Sequence, residues 1–317
     1  MISYVDVRAL VFTDTSKVEM LDVLEPLPGS GEVLVEVEAS GICGSELHGI
    51  QHPGFREPPL VMGHEFVGRD PSGRRVVVNP IVSCGQCDMC RRQHDQLCRS
   101  RNIIGIHRPG GFGERVAVPE GQLLDVPEAL NWEEAALIEP LANAVHAWEL
   151  VAIREPAAIG VIGAGTIGLV CLLVSQHRGA RNVTVVDLAE DRLALASSLG
   201  ATATGATLQG EFDVVFDCVG SPGTRAVAAA QVRPGGACVW LGLLSPEAGI
   251  DAQGLIRQEK MITGSFAYPK AHFKMAVELA PEVDLSWGSS FPLNEGAVVF
   301  TELMNGRTDI AKALLRP

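Results

Sequence analysis

The strongest constraint on the fold is an apolar run, Ala157–Ile162, that leads directly into Gly163-Ala-Gly165-Thr166-Ile167-Gly168. A strand without polar residues is buried on both faces, as in parallel sheets covered by helices on each side. The glycines suit a tight turn, a close approach of pyrophosphate to backbone, and close packing of the helix that follows. Thr166–His177 reads as that helix, Asn182–Asp187 as a second strand, and Glu190–Leu199 as a second helix ending at Gly200. Strand Phe212–Cys218, helix Thr224–Gln231 and strand Ala237–Gly242 continue the alternation. Such alternation specifies a doubly wound parallel sheet, the Rossmann arrangement.

Between Ala203 and Phe212 there is no room for a crossover helix. In strand order 3-2-1-4 the third and fourth strands lie roughly 14 Å apart. Eight extended residues reach about 26 Å, so the crossover is expected to close without a helix. The uncharged stretch Pro156–Ser175 is about long enough to span a bilayer. Glycines at 160, 163, 165 and 168 break it into strand, turn and helix, so no membrane span is expected.

The first 150 residues have a different texture. Short β-like runs such as Val33–Glu38 are separated by Pro26, Pro28, Gly29 and Gly31. Phe66–Val78 reads as two strands joined by an Asp70-Pro-Ser-Gly turn. A further β segment, Gly110–Val118, precedes a helix over Trp132–Leu150. Within this mostly β region lie Cys84, Cys87, Cys90 and Cys98. Four thiolates close a tetrahedral zinc shell with no open position, which makes a structural site. Two-residue spacers in a large chain without a signal-peptide pattern favour metal over disulfides.

The net charge is −13, from 25 basic and 38 acidic residues. Without a long basic run, a nucleic-acid partner is not expected. Met1–Arg8 lacks the charged-then-apolar pattern of a leader, so the expected location is the cytoplasm.

Three further segments flank the cysteines: Gly41-Ile-Cys43-Gly-Ser45-Glu46-Leu-His48, Gly63-His64-Glu65 and Glu139-Pro-Leu-Ala-Asn-Ala-Val-His-Ala. Taken in order with the cysteine cluster and the later glycine motif, the chain resembles the zinc-containing medium-chain alcohol and polyol dehydrogenases. The resemblance implies a GroES-like catalytic domain over 1–150 and 287–317, a structural-zinc lobe near 84–98, and a Rossmann NAD-binding domain over 151–286. It implies a catalytic zinc held by Cys43, His64, Glu65 and Glu139, two zincs per chain in all. Which glutamate binds is left open by the sequence. Ser45 and His48 match the family's proton relay. Glu46 stands where the family usually has aspartate, and it can orient His64 only if its extra methylene is accommodated.

Gly163, Gly165, Thr166, Ile167 and Gly168 form the expected cofactor turn. Asp187 ends the second strand, where a carboxylate grips ribose hydroxyls and repels a 2′-phosphate, which favours NAD over NADP. An N-cap role for the helix over 190–199 is compatible with this. Arg192 approaches the adenine or is solvated. Cys218 and Gly242 end strands at the edge where ligands collect, and the resemblance places Ser265 near the nicotinamide amide. Segments 46–56 and 107–112 are expected to line the substrate cleft, with His107, Arg108 and Phe112 as candidates.

The reading is a dehydrogenase of secondary alcohols or polyols, with a homodimer or homotetramer expected by resemblance. A biosynthetic ketone reductase with the same machinery, and a non-catalytic nucleotide-binding protein of the same fold, are the alternatives.

Overall fold

The computed structural model describes residues 6–52, 56–151 and 158–317. Ala157, expected to open the first parallel strand, and residues 53–55 of the expected cleft lie outside them. The chain divides into two compact units, one of Met1–Glu139, Pro269–Pro281 and Leu285–Pro317, the other of Pro140–Tyr268 and Glu282–Asp284. Boundaries were expected at 150/151 and 286/287. The helix Lys270–Leu279 joins the first unit instead. The Lys270 amide donates to the Asp95 carboxylate at 3.1 and 3.2 Å, and its Nζ donates to the Gly121 carbonyl at 2.8 Å.

In the second unit six parallel strands run in the order Ala203–Gly205, Asn182–Val186, Ala158–Ile162, Phe212–Asp217, Val232–Trp240 and Met261–Gly264. This is the doubly wound order 3-2-1-4-5-6. The crossover from the third to the fourth strand closes without a helix. In place of a packed helix it buries Leu208 among Phe212, Val215 and Ala228. A Cβ on Gly160 would come within 2.7 Å of Leu208, so this glycine makes the space that the leucine fills.

The first unit is built on a seven-stranded sheet in which Glu32–Gly41 pairs antiparallel with Glu65–Arg69, Arg115–Pro119 and Ala313–Arg316. Gly41 lies opposite Glu65 on one side and Leu314 on the other. A three-stranded sheet of Lys17–Leu24, Asp6–Asp14 and Leu60–Val61 completes it. The single helix expected over Trp132–Leu150 is two, Trp132–Ala136 and Ile138–Glu149. Pro140 has no N–H to give the Ala136 carbonyl, so the ladder breaks there. Among the described residues no helix is long and apolar enough to cross a membrane.

Candidate active site

Cys43 follows the Glu32–Gly41 strand and caps the short helix Gly44–Gly49, while His64 and Glu65 open the paired Glu65–Arg69 strand. Strand register therefore brings distant sequence positions together. Ile42, Ile50 and Met62 beside them are buried in one cluster with Phe112 and Phe300, which fixes the backbone carrying the site. One potential ligand atom from each of Cys43, His64 and Glu65 lies within 4.8 Å of the other two. Glu139 is not in this set. It is buried in the first turn of the Ile138–Glu149 helix, on a different element from the other three.

Glu46 is fully buried and its carboxylate joins the two arms of the site. It accepts from the Cys43 amide at 2.9 Å, the Gly63 amide at 3.0 Å and His64 Nδ1 at 3.0 Å. The extra methylene is accommodated because the glutamate closes a capping contact on its own helix. Nδ1 is thus committed and Nε2 is left for a metal. Burial works to raise the Glu46 carboxyl, but His64, Arg56 and the Cys43 amide hold it below its usual value. Burial opposes charge on His64, yet Glu46 and the adjoining Cys43 push the imidazole well above the ordinary range.

Glu65 is ion-paired with Lys312, and both side chains are almost wholly inaccessible. Lys312 also donates to the Ile42 carbonyl at 3.0 Å. A Cβ on Gly41 would sit 2.3 Å from the Glu65 carboxylate and 2.7 Å from Lys312 Cε. A larger residue at that position must therefore displace Glu65 or Lys312.

Ser45 is half-buried in the first turn of the Gly44–Gly49 helix, and His48 is exposed. Residues three apart are neighbours on a helix face. The loop preceding Phe112 is pressed onto the metal-site backbone: Gly110, Gly111 and Phe112 amides donate to Val61, Gly63 and Met62 carbonyls at 2.8 to 2.9 Å. Two of the expected cleft residues have other duties. Phe112 is buried edge-on against Phe300, and Arg108 is paired with Glu32 at 2.7 Å while donating to the Ala117 carbonyl. His107 is exposed, and its Nδ1 accepts from the Ile103 amide at 2.9 Å. Partial desolvation, then Arg101 and Arg56, lower its pKa, and the bond accepted at Nδ1 leaves Nε2 as the nitrogen that carries the ring proton.

Cys84, Cys87, Cys90 and Cys98 also converge. Their sulfurs lie 3.9 Å (Cys84–Cys90), 3.5 Å (Cys87–Cys90) and 3.9 Å (Cys87–Cys98) apart. A zinc at 2.3 Å from each corner of a tetrahedron requires an edge of about 3.8 Å. The lobe fits the ion. The Cys90 and Arg99 amides draw the Cys87 thiol down to about 6, while burial and neighbouring thiols raise Cys90 to about 11.

In the second unit Gly163 has φ +95°, and a Cβ on Gly168 would stand 1.7 Å from the Gly163 carbonyl oxygen. A Cβ on Gly165 would meet nothing within 4 Å, leaving open space at the start of the Thr166–His177 helix. That cradle fits a diphosphate at a helix N-terminus. Thr166 and Ile167 form its first turn. Asp187 Oδ2 accepts from the Ala164 amide at 2.7 Å and Oδ1 from the Ala189 amide at 2.9 Å, so the carboxylate is pinned beside the turn. Each oxygen keeps a second lone pair. Arg192 approaches Asp187 at 3.8 Å. Cys218 follows its strand, with its amide bonded to the Ile162 carbonyl. Gly242 packs against Val219 and Gly220, and the Ser265 amide donates to the Trp240 carbonyl at 2.9 Å.

Residues 29–128 match the alcohol dehydrogenase GroES-like domain, and residues 166–282 match the zinc-binding dehydrogenase domain. An L-threonine 3-dehydrogenase of Streptomyces coelicolor is 34% identical, over 91% of this chain and 88% of the relative. The chain belongs to the zinc-containing medium-chain alcohol and polyol dehydrogenases. Solved relatives of this dehydrogenase include a zinc-binding dehydrogenase from Sinorhizobium meliloti 1021 bound to NADP, with TM-score 0.91 and 29% identity over 99% of this chain and 100% of that one. An alcohol dehydrogenase from E. coli CFT073 complexed with NADH has TM-score 0.90 and 26% identity, covering 98% and 99% of the two chains.

Three residues that shape the candidate metal site of this dehydrogenase escape a reading of local motifs. Lys312 and Arg56 are buried cations with no flanking signature, and Gly41 resembles any strand-end glycine. For Lys312, a lone lysine beside Ala311 and the apolar run Ala313-Leu-Leu is the one available signal.

Proposed function

We propose that this dehydrogenase transfers a hydride between NAD and a secondary alcohol or polyol, or the matching ketone. The observation that carries the reading is the convergence of Cys43, His64 and Glu65 within 4.8 Å of one another, with His64 oriented by a buried carboxylate. When bound there, zinc supplies Lewis acidity, which makes a hydroxyl a better acid and a carbonyl a better hydride acceptor. The Gly163–Gly168 turn would hold NAD, which would supply the hydride acceptor or donor. The alcohol named for the Streptomyces coelicolor relative, at carbon 3 of threonine, is secondary, which supports the substrate class.

The chain's own residues handle the proton. Cys43 and Glu65 would supply negative ligand atoms to the zinc and His64 a neutral one. Ser45 accepts the hydroxyl proton of the substrate and hands its own to His48, which is exposed and releases it to water. Asp187 accepts hydrogen bonds from the adenosine ribose and meets a 2′-phosphate with repulsion. Thr166, Ile167, Arg192, Cys218, Gly242 and Ser265 line the cofactor's course. Glu139 would either exchange with Glu65 as a metal ligand or orient the group that binds, as the family resemblance implies. The protein works in the cytoplasm as a homodimer or homotetramer; the exposed Met261 on the terminal strand of the parallel sheet suits such an interface.

The test is Cys43→Ala, assayed with a panel of secondary alcohols and ketones by nicotinamide absorbance. Turnover should vanish while the fold and NADH binding persist. Near-normal turnover in the variant would overturn the reading.

A further inference from the structure

Arg56 is 2% exposed, an unusual placement for the one side chain that never gives up its charge. Its Nη1 donates to the Ser45 carbonyl at 2.7 Å, and Nη2 makes a long contact of 3.4 Å with Ser45 Oγ. The same guanidinium acts electrostatically on Glu46, Cys43 and His107. Its bonds to Ser45, two residues from Cys43, place it beside the candidate metal ligands.

A guanidinium only donates hydrogen bonds. A serine hydroxyl has one proton and two lone pairs. With Arg56 on one lone pair, the Ser45 proton must point elsewhere, and one lone pair is left to accept from a substrate hydroxyl. The carbonyl bond fixes the turn of backbone from which Ser45 projects. We infer that Arg56 is a positioning residue for the dehydrogenation, holding Ser45 so that its hydroxyl accepts the substrate's proton and passes its own onward. The inference rests on the reading of Ser45 as that acceptor. In the oxidation, the substrate O–H proton moves to Ser45 Oγ as the serine proton moves to His48, and the carbon-bound hydride goes to NAD. Atoms and charge balance as alcohol and NAD⁺ giving ketone, NADH and a proton.

A simpler role competes with this one. Gly44–Gly49 is a six-residue helix, and Arg56 also braces its first turn by bonding the Ser45 carbonyl. The two roles separate experimentally. Arg56→Ala, Arg56→Lys, Ser45→Ala and the Arg56→Ala/Ser45→Ala pair are compared for kcat, KM, zinc content and NADH dissociation constant. Arg56→Ala should keep two zincs and its NADH affinity while kcat falls about 10²-fold, the cost of a small misplacement. Millimolar guanidinium added to Arg56→Ala should restore part of kcat, and it should do nothing for Ser45→Ala. In the double variant the Arg56 effect should disappear, since coupled residues are not additive.

If Ser45→Ala retains full turnover, the relay reading fails and takes the inference with it. If Ser45→Ala is impaired but the Arg56 effect is additive, or guanidinium does not rescue, the relay stands and the inference is overturned. Loss of zinc in Arg56→Ala would count equally against it. Arg56→Lys then decides between charge and shape: it should fold, keep its zinc and recover less than tenfold of the loss, because one ammonium cannot make both contacts to Ser45.

Discussion

Glu46 Oε1 accepts from His64 Nδ1 at 3.0 Å, while Oε2 of the same carboxylate accepts from the Cys43 amide at 2.9 Å. One buried carboxylate thus ties both candidate ligands to a common frame. Glu46→Gln keeps the shape and removes the charge. Zinc affinity, read by chelator competition, should fall about 10- to 100-fold. An unchanged affinity would remove Glu46 from the metal site's support.

The metal-free site should also respond to pH. His64 is pushed well above the ordinary imidazole range, so below its pKa a proton competes with the metal for the site. Zinc affinity at this site should therefore rise with pH through neutrality, with proton release on binding. Isothermal titration in two buffers of different ionisation enthalpy measures that release; none at pH 7 would contradict the assignment.

Gly41 touches a charged pair rather than empty space. Gly41→Ala must displace Glu65 or Lys312, at about 1–3 kcal/mol. Zinc content should fall from two toward one per chain, since the four-cysteine lobe is untouched. Two zincs retained with wild-type stability would sink this expectation.

Cys87→Ala addresses the other site. It opens a shell whose metal binding is coupled to folding. Thermal stability and solubility should drop, and chelators should reproduce the drop in the wild-type protein. A variant as stable as wild type would show that the lobe needs no metal.

Asp187 is the residue expected to decide between cofactors. A 2′-phosphate beside this pinned carboxylate should cost more than about 2 kcal/mol, or about 30-fold in specificity. Leu188 beside it is 90% exposed and offers no cation. Asp187→Ser with Leu188→Arg should shift the ratio of kcat/KM toward NADP. A wild-type preference for NADP would overturn the assignment.

Leu208 fills the place of the missing crossover helix. Leu208→Ala should destabilise the parallel-sheet unit by about 2–4 kcal/mol. Denaturant melts followed by loss of NADH binding would report this, and an unchanged midpoint would mean that the crossover is not anchored by this side chain.

The parallel-sheet unit was legible because its signals are local. Apolar strands, glycine turns and short helices follow one another, and the helix Thr166–His177 and the helix-free crossover can be read by counting residues. The four-cysteine lobe was legible for the same reason. The first unit was harder because its site depends on register between distant strands. Arg108 and Phe112 sit in a loop that does lie against the metal-site backbone, but their side chains turn to Glu32 and Phe300. No local pattern distinguishes those directions. Nor does one show that the methylene of Glu46 fits, or that Lys312 pairs with Glu65.

Lys312 lies in the chain after the whole of the parallel-sheet unit, yet the strand it precedes pairs with Glu32–Gly41. On the ribosome the two units therefore mature in different ways. Residues 140–268 emerge as one uninterrupted run and can collapse while translation continues. The first unit must hold an unpaired strand edge, and a buried glutamate without its counter-charge, until the last segment arrives. The candidate metal site, which takes Lys312 against Glu65, can therefore be completed only when synthesis nears its end.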